Sequence, residues 1–330
     1  MKSLWARFPG LLACGLAALT LSVLPGLAGA QQYPQKRISI VTPVAAGSPF
    51  DLLTRVFTDR LGKKLGVPVI VENITGGQGL IATHRVLNSE PDGYTLLLSS
   101  TGLATGPLVL KNPGYTMDDF VPLVPLGQAA YVLVASSSVQ ANDVSSLMAY
   151  MKSGNAHKMN FGVLTASPLS VLLARQFGVA AQTENVMEIG YRGSADMIRA
   201  LIADEIQMIA TTYSVAAPHL ASGRAKVIGV LGNERIRQLP DASTFKEAGY
   251  PSLYINVWAA LFAKSDVPPE VQKTIQKASQ EILSDPSFRE AMDPTGMDPW
   301  PVPFDKLQAT IEEESKVFAA NAKTFNLTFE

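Results

Sequence analysis

From residue 37 onward, short apolar runs rich in β-branched residues alternate with segments of helical periodicity. Residues 37–42 (RISIVT) form the first run, and between residues 51 and 65 leucine, valine and phenylalanine recur at helical spacing. Further strands are predicted at residues 67–71 and 95–98, with a helix at 80–87 between them. This alternation predicts an α/β fold whose strands form a parallel sheet joined by right-handed crossovers.

The same alternation restarts after Tyr131, which predicts a second α/β unit. Strands are expected at residues 132–135, 159–161, 186–189, 206–210 and 226–231, and helices at 144–152, 168–177, 194–203 and 215–222. A strand at 257–262 and helices at 269–283, 286–292 and 304–322 then return to the first unit. The predicted organisation is a first lobe from residues 31–131 and 255–330 and a second lobe from residues 132–254. Two crossover segments, near Tyr131 and Ile255, form a hinge that closes on binding.

The first thirty residues have the pattern of a secretory signal peptide. Lys2 and Arg7 precede an apolar run at residues 11–24, and small residues at 28–30 fit a cleavage site after Ala30. The prediction is therefore a periplasmic protein. Cys14 leaves a lipoprotein alternative open, but we favour an apolar filler within the export signal, because cleavage there would leave the small residues at 28–30 unexplained.

Composition excludes several classes of site. Removing residues 1–30 leaves 300 of the 330 residues, more than one hydrophobic core usually serves. Cys14 is the only cysteine, so the mature chain would have neither disulfides nor thiolate zinc sites. The histidines His84, His157 and His219 lack metal-ligand spacing. A net charge of −1 without basic runs indicates no nucleic-acid partner. We expect a monomer without metal or cofactor.

Two loops of small residues follow successive predicted strands. In residues 43–51, Ser48 fits a helix N-cap, Pro49 the first helical position and Asp51 a capping box. Residues 73–79 carry three glycines ahead of a helix. Either loop alone could serve only as a tight turn, but two together favour an anion site, because helix N-termini bind anions and ligands of open α/β sheets lie at the carboxyl ends of the strands. We expect peptide amides, rather than an ionised side chain, to hold the anion.

These loops resemble those of a known family. Residues 43–51 are similar to the motif Pro-Phe-x-Ala-Gly-Gly-x-x-Asp, with Val44 for the aromatic residue and Ser48 for the second glycine. Residues 71–79 are similar to Val-Glu-Asn-Arg-Pro-Gly-Ala-Gly-Gly, and the stretch Pro-Asp-Gly-Tyr-Thr-Leu-Leu recurs unchanged at 91–97. Further matches run in order along the mature chain. The sequence thus resembles the substrate-binding proteins of tripartite tricarboxylate transporters, the Bug (Bordetella uptake gene) family.

The resemblance implies a two-lobed periplasmic binding protein of the Venus-flytrap type that captures a small carboxylate. It implies delivery to permease subunits, with presentation to a sensor kinase as the alternative. In such proteins backbone amides of the first two loops, often with bridging waters, hold one ligand carboxylate. Carried over by position, the ligand-binding residues are Ala45, Ala46, Gly47, Ser48, Thr75, Gly76, Gly77, Gln78, Ser100 and Thr101 from the first lobe, and Thr165, Ser167, Tyr191 and Thr211 from the second.

Departures from the family pattern bear on the ligand. Gln78 replaces a loop glycine, residues 74–75 replace Arg-Pro, and residues 211–212 are Thr-Thr where the family often has Asp-Asn. The last change removes a partner for an amino group, so we expect a plain or aromatic carboxylate. An enzyme such as a hydrolase or isomerase is the competing class, with Ser48, Ser99 or Ser100 as nucleophile. No histidine is predicted within reach of any of them, so we interpret the chain as a binding protein.

Overall fold

The computed structural model describes residues 33–155, 159–165, 167–183 and 186–327. The predicted signal peptide, Cys14 and His157 lie outside these residues. Within them, no helix combines the length and the apolar character needed to cross a membrane.

The first part of the first lobe contains two elements that the sequence pattern did not predict. Its elements are β1 (Ile38–Thr42), α1 (Pro49–Leu65), β2 (Val69–Asn73), α2 (Leu80–Leu87), β3 (Thr95–Ser100), α3 (Thr101–Val109) and β4 (Phe120–Ala129). Helix α3 has no amphipathic period because most of its residues are buried, and it contains Pro107. Strand β4 contains Pro122 and Pro125, which would normally argue against a strand.

The second lobe follows the predicted alternation. It comprises β5 (Tyr131–Ser136), α4 (Val144–Lys152), β6 (Asn160–Leu164), α5 (Pro168–Ala180), β7 (Met187–Tyr191), α6 (Ser194–Ile202), β8 (Met208–Thr212), α7 (Tyr213–Leu220) and β9 (Ala225–Val230). The sheet order is β7-β6-β8-β5-β9. Strand β6 is parallel to β7 and β8, whereas β5 is antiparallel to β8 and β9.

The chain then returns through β10 (Val257–Lys264), α8 (Pro269–Leu283), α9 (Pro286–Met292), β11 (Met297–Asp298) and α10 (Leu307–Thr324). The sheet of the first lobe has the order β11-β4-β10-β3-β1-β2. Strands β1, β2 and β3 are parallel, as predicted, but β10 is antiparallel to β3 and β4. The parallel pairing predicted from the first three strands is therefore confirmed, and the half of the sheet that the returning chain completes is antiparallel, a direction that the sequence pattern had not predicted. Because β11 covers only the end of β4, most of β4 is an edge, where proline is tolerated.

Two sheets with helices packed on them confirm the predicted α/β organisation in two lobes. The backbone crosses between the sheets at Ala130 and again between β9 and β10. Helix α10 adds a third connection. Its first half packs with Trp258 in the first lobe through Ile311, and its second half enters the core of the second lobe through Phe318.

Candidate functional site

A cavity of about 640 Å³ lies between the two lobes. The first lobe contributes the end of β1, the loop before α2 and the β3–α3 junction. The second lobe contributes the end of β6, the start of α5 and the β7–α6 loop. Tyr131, Ile255 and Val257 line it at the crossovers. The cavity thus lies at the carboxyl ends of parallel strands in both sheets, where ligands of open α/β folds are usually found.

The loop before α2 has an unusual backbone. Gly76, Gly77, Gln78 and Gly79 all have positive φ, at 112°, 54°, 54° and 93°. Glycine adopts this region without steric penalty, whereas Gln78 is a non-glycine residue held in it. The amides of Thr75, Gly76 and Gly77 have no hydrogen-bond acceptor among the described residues, and all three residues line the cavity. Their N–H groups are therefore available to an anion.

The start of α3 also lines the cavity. Ser100 is the N-cap residue but its side chain caps no amide, and the hydroxyls of Ser99 and Ser100 have no partner among the described residues. Thr101 differs, because its hydroxyl donates to the carbonyl of Asn256 at 2.9 Å and accepts from the amide of Trp258 at 3.2 Å. Its side chain ties α3 to the crossover, so only the Thr101 backbone remains for a ligand.

The first loop does not form the predicted amide clamp. The Gly47 amide donates to Oδ2 of Asp51 at 2.8 Å, and the Ser48 amide donates to the Ala45 carbonyl at 3.2 Å. Ala45, Ala46, Gly47 and Ser48 do not line the cavity, which this loop reaches only through Pro43 and Val44. In this structure the amides of Gly47 and Ser48 are used to close the loop, and none of the four predicted residues belongs to the cavity lining.

Asp51 holds this loop against its neighbours. The residue is 1% exposed, and its carboxylate accepts from the Gly47 amide, from Nε of Arg55 at 2.9 Å and from Nδ2 of Asn73 at 2.8 Å. Burial opposes its ionisation, but these hydrogen bonds and the charge of Arg55 outweigh burial and hold the pKa of Asp51 below its ordinary value. The Ser48 hydroxyl accepts from the Asp51 amide at 3.3 Å, as expected for an N-cap. Asp51 therefore closes the loop before α1, but the predicted capping box does not form, because its carboxylate accepts from the Gly47 amide and not from the amide of the N-cap Ser48.

We expect Asp51→Asn to lower the free energy of unfolding by about 1–3 kcal/mol at pH 7, because buried donors lose a charged acceptor. Since the folded pKa is depressed, this contribution is present above the unfolded value of about 3.9 and is lost as pH falls through the folded pKa. Urea unfolding at pH 7 and pH 3 measures it. The control is Asp59→Asn, an exposed α1 carboxylate paired with Lys63, whose loss should cost less than about 0.5 kcal/mol. Equal costs for the two variants at pH 7 would contradict the role of Asp51.

Of the predicted residues of the second lobe, Ser167 alone lines the cavity. The Ser167 hydroxyl caps α5 by accepting from the Ser170 amide. The Thr165 hydroxyl donates to the carbonyl of Tyr191 at 3.3 Å, and neither residue lines the cavity. Thr211 is 3% exposed and pairs with Val132, whose side chain belongs to the core behind the sheet. Thr165, Tyr191 and Thr211 therefore lie beside the cavity in this structure, and their neighbours Leu164, Arg192 and Ala210 line it instead.

Arg192 is the one charged side chain among the described residues that line the cavity. It lies in the β7–α6 loop, is exposed and forms no ion pair within the described residues. The sequence assigned the anion to peptide amides and gave this side chain no role. Its position directly after Tyr191, a predicted ligand-binding residue, was the available signal.

Among the described residues, the lining of the cavity supplies serine hydroxyls but no side chain that commonly activates a serine nucleophile. No histidine, aspartate or glutamate lines it within the described part of the chain, so Ser99 and Ser100 have no base there. No group of three or more potential metal ligands occurs among the same residues. His84 of α2 contacts the carbonyl of Pro113 at 3.0 Å, away from the cavity, which is consistent with a structural role.

The chain is similar in sequence and in fold to one family of receptor proteins. Residues 53–327 match the family model described as the tripartite tricarboxylate transporter family receptor, TctC. A UPF0065 protein of Bordetella pertussis is 31% identical over 304 residues, which cover 91% of this chain and 92% of that protein. The structure of the periplasmic binding protein BugD superposes with a TM-score of 0.72 at 28% identity, covering 90% of this chain and 100% of BugD. Rpa4515 of R. palustris, solved with adipate, shares the fold with a TM-score of 0.77 at 24% identity, covering 90% and 99%.

The family match covers most of the chain, and its relatives extend over nearly the same length as this protein. The fold and the family are those of periplasmic solute-binding proteins. This protein therefore belongs to the TctC family, the receptors of tripartite tricarboxylate transporters, as the resemblance to the Bug proteins had indicated.

Proposed function

We propose that the protein binds a small organic carboxylate in the cavity between its lobes and delivers it, chemically unchanged, to a membrane permease. The observation that carries this proposal is the set of unpaired amides at residues 75–77, which line the same cavity as the uncapped start of α3 and the side chain of Arg192. No carboxylate among the described residues lines the cavity, so these donors meet no competing anion there.

The free energies expected from these donors are large enough for micromolar binding of a carboxylate. A micromolar complex requires about 8 kcal/mol. Hydrogen bonds from amides to a carboxylate contribute about 1.5–3 kcal/mol each, and a helix N-terminus adds about 0.3–1 kcal/mol. Three amides of the second loop, one helix end and Arg192 therefore reach this range. The amide component of the original hypothesis is retained, with a guanidinium added and the first loop removed.

The composition of the lining narrows the ligand class. Without an aspartate or glutamate among the described lining residues, an α-amino group would lose its hydration and gain no charged partner. We therefore infer a plain mono- or dicarboxylate, aliphatic or aromatic, in preference to an amino acid. Adipate, the ligand of a protein with the same fold, belongs in the first screen. Membership of a transporter receptor family favours delivery to a permease over presentation to a sensor kinase.

The test is a thermal-shift screen over mono- and dicarboxylates, followed by calorimetry on the ligands that stabilise the protein. Aspartate and glutamate are included as charge-matched amino acids. We expect saturable binding of at least one plain carboxylate, weaker binding of the amino acids, and quantitative recovery of unchanged ligand by mass spectrometry. Chemical conversion of the ligand would favour the enzyme alternative, and tight binding of aspartate or glutamate would contradict the ligand class.

Arg192→Gln is expected to weaken the binding of the identified carboxylate about three- to tenfold, because an exposed guanidinium contributes on the order of 1 kcal/mol to an ion pair. Arg192→Lys should retain more affinity than Arg192→Gln. The matched control is Arg224→Gln, an exposed arginine next to β9 that does not line the cavity, which should leave affinity unchanged. Calorimetry at low and moderate salt provides the measurement. Equal effects of the substitutions at 192 and 224 would remove Arg192 from the site.

A further inference from the structure

A second cavity of about 430 Å³ adjoins the first. Thr101, Thr105, Leu169 and Ile255 line both and form the wall between them. We call this second cavity the side chamber. Its other walls are α3 and β10 of the first lobe, α5 of the second lobe and α10, which connects the two. An occupant of the side chamber would therefore contact both lobes.

The side chamber has a largely apolar lining. Its apolar residues include Leu172 of α5, Trp258 of β10, and Ile311 and Phe318 of α10. Val317 also lines it and is 54% exposed, which leaves a large apolar side chain accessible to solvent at this position. A volume of this size and a lining of this kind are typical of small-molecule sites.

Gln176 of α5 supplies the strongest indication of a ligand. The residue is only 8% exposed, lines the side chamber and has no hydrogen-bond partner among the described residues. Its amide atoms keep solvent contact through the chamber, since Thr42 Oγ1 alone among the described side-chain nitrogen and oxygen atoms is fully buried and unpaired. The carboxamide therefore offers its two N–H donors and its carbonyl oxygen to an occupant.

The charge of the side-chamber lining differs from that of the first cavity, between the two lobes, which we call the cleft. Glu313 and Glu314 line the side chamber, and no lysine, arginine or histidine of the described residues does. The two carboxylate oxygens of Glu314 accept from Nδ2 of Asn256 and from Nε1 of Trp258, each at 2.8 Å. Burial raises the pKa of Glu314 despite these two donors. An anion would meet like charge in this chamber, whereas a neutral molecule would not.

We propose that the side chamber is a second binding site that takes a neutral, ring-sized molecule bearing one amide or hydroxyl group, with the ring against Trp258 and Phe318 and the polar group on Gln176. It is separate from the carboxylate site and, unlike that site, disfavours anions. Because the two cavities share a wall and both contact both lobes, occupation of the side chamber changes the affinity of the cleft for its carboxylate.

Benzamide and benzoate form a matched pair of probes, since they differ in one group and in charge. Ligand-observed NMR titration of the full-length protein should give saturable benzamide binding with a Kd of roughly 0.1–1 mM, typical of a ligand of this size. Gln176→Leu keeps the side-chain volume and should weaken benzamide about five- to tenfold. Leu172→Trp should weaken it further by filling the chamber. Arg192→Gln, which changes only the cleft, should leave benzamide binding unaltered.

Failure of the side-chamber site and failure of carboxylate binding in the cleft would give different experimental results. Absence of saturable benzamide binding would overturn the side-chamber site while leaving carboxylate binding in the cleft untouched. Benzamide binding that depended on Arg192 and not on Gln176 would place the probe in the cleft and would also overturn it. Benzoate binding that depended on Gln176 would overturn the charge preference. Melting profiles of both chamber variants establish that they fold, and either variant alone suffices for the test.

Discussion

Gly77→Asp is expected to abolish carboxylate binding while Gly77→Asn retains most of it. Gly77 lines the cleft and contributes one of the three unpaired amides. A Cβ at this position meets only Ile81 at 3.5 Å and Leu80 at 3.7 Å, so there is room for either side chain. The φ of 54° lies in the left-handed region, which asparagine and aspartate tolerate better than other non-glycine residues. The two variants therefore share size and backbone strain and differ in charge.

The expected size of the charge effect is large. Two carboxylates about 5 Å apart at an effective dielectric constant near 20 repel by about 3 kcal/mol, which corresponds to a loss of affinity on the order of a hundredfold or more. Calorimetry with the carboxylate identified by the screen measures this difference. The melting temperatures of both variants without ligand should fall together, by a few degrees at most. Equal affinities of the two variants would show that the anion does not lie near residue 77.

The sequence predicted most elements because their patterns are local. Helices α2 and α8 have the predicted bounds, since their apolar spacing and flanking residues are complete within each segment. Helix α3 and strand β4 were missed for a shared reason. Tertiary burial stabilises α3 in spite of Pro107, and the open edge of β4 accommodates Pro122 and Pro125. The burial of α3 and the edge position of β4 both depend on distant parts of the chain, so the local sequence does not predict them.

For the candidate site, the loops were predictable and the orientation of individual residues was not. Three glycines before α2 indicated exposed amides, and the amides of residues 75–77 have no acceptor among the described residues. In contrast, Thr211 and Ala210 are adjacent in β8, and which one lines the cavity depends on the face of the strand. The Gly47 amide was unavailable because Asp51 reaches back to it, a contact that the capping pattern alone did not specify.

The lobe against which helix α10 packs could also not be predicted from its sequence. Its periodicity predicted a helix near residues 304–322 that completes the first lobe. Its apolar face, however, is divided between two cores, with Ile311 in the first lobe and Phe318 in the second. Periodicity identifies a buried face without identifying what covers it. We expect a helix anchored in both lobes to restrict any separation of the lobes.

Phe318→Ala should therefore destabilise the second lobe, although residue 318 lies far beyond the last strand of that lobe's sheet in the sequence. Phe318 is 5% exposed, and truncation of a buried phenylalanine costs about 3–5 kcal/mol. The control is Val317→Ala on the same helix, where the side chain is 54% exposed and the cost should stay below about 0.5 kcal/mol. Urea unfolding gives the difference, and hydrogen exchange should show loss of protection in α5 and β6 while β1 and α1 retain theirs. If the two substitutions cost the same, or if the loss of protection fell on the first lobe, α10 would not anchor the second lobe and the third connection would have no mechanical role.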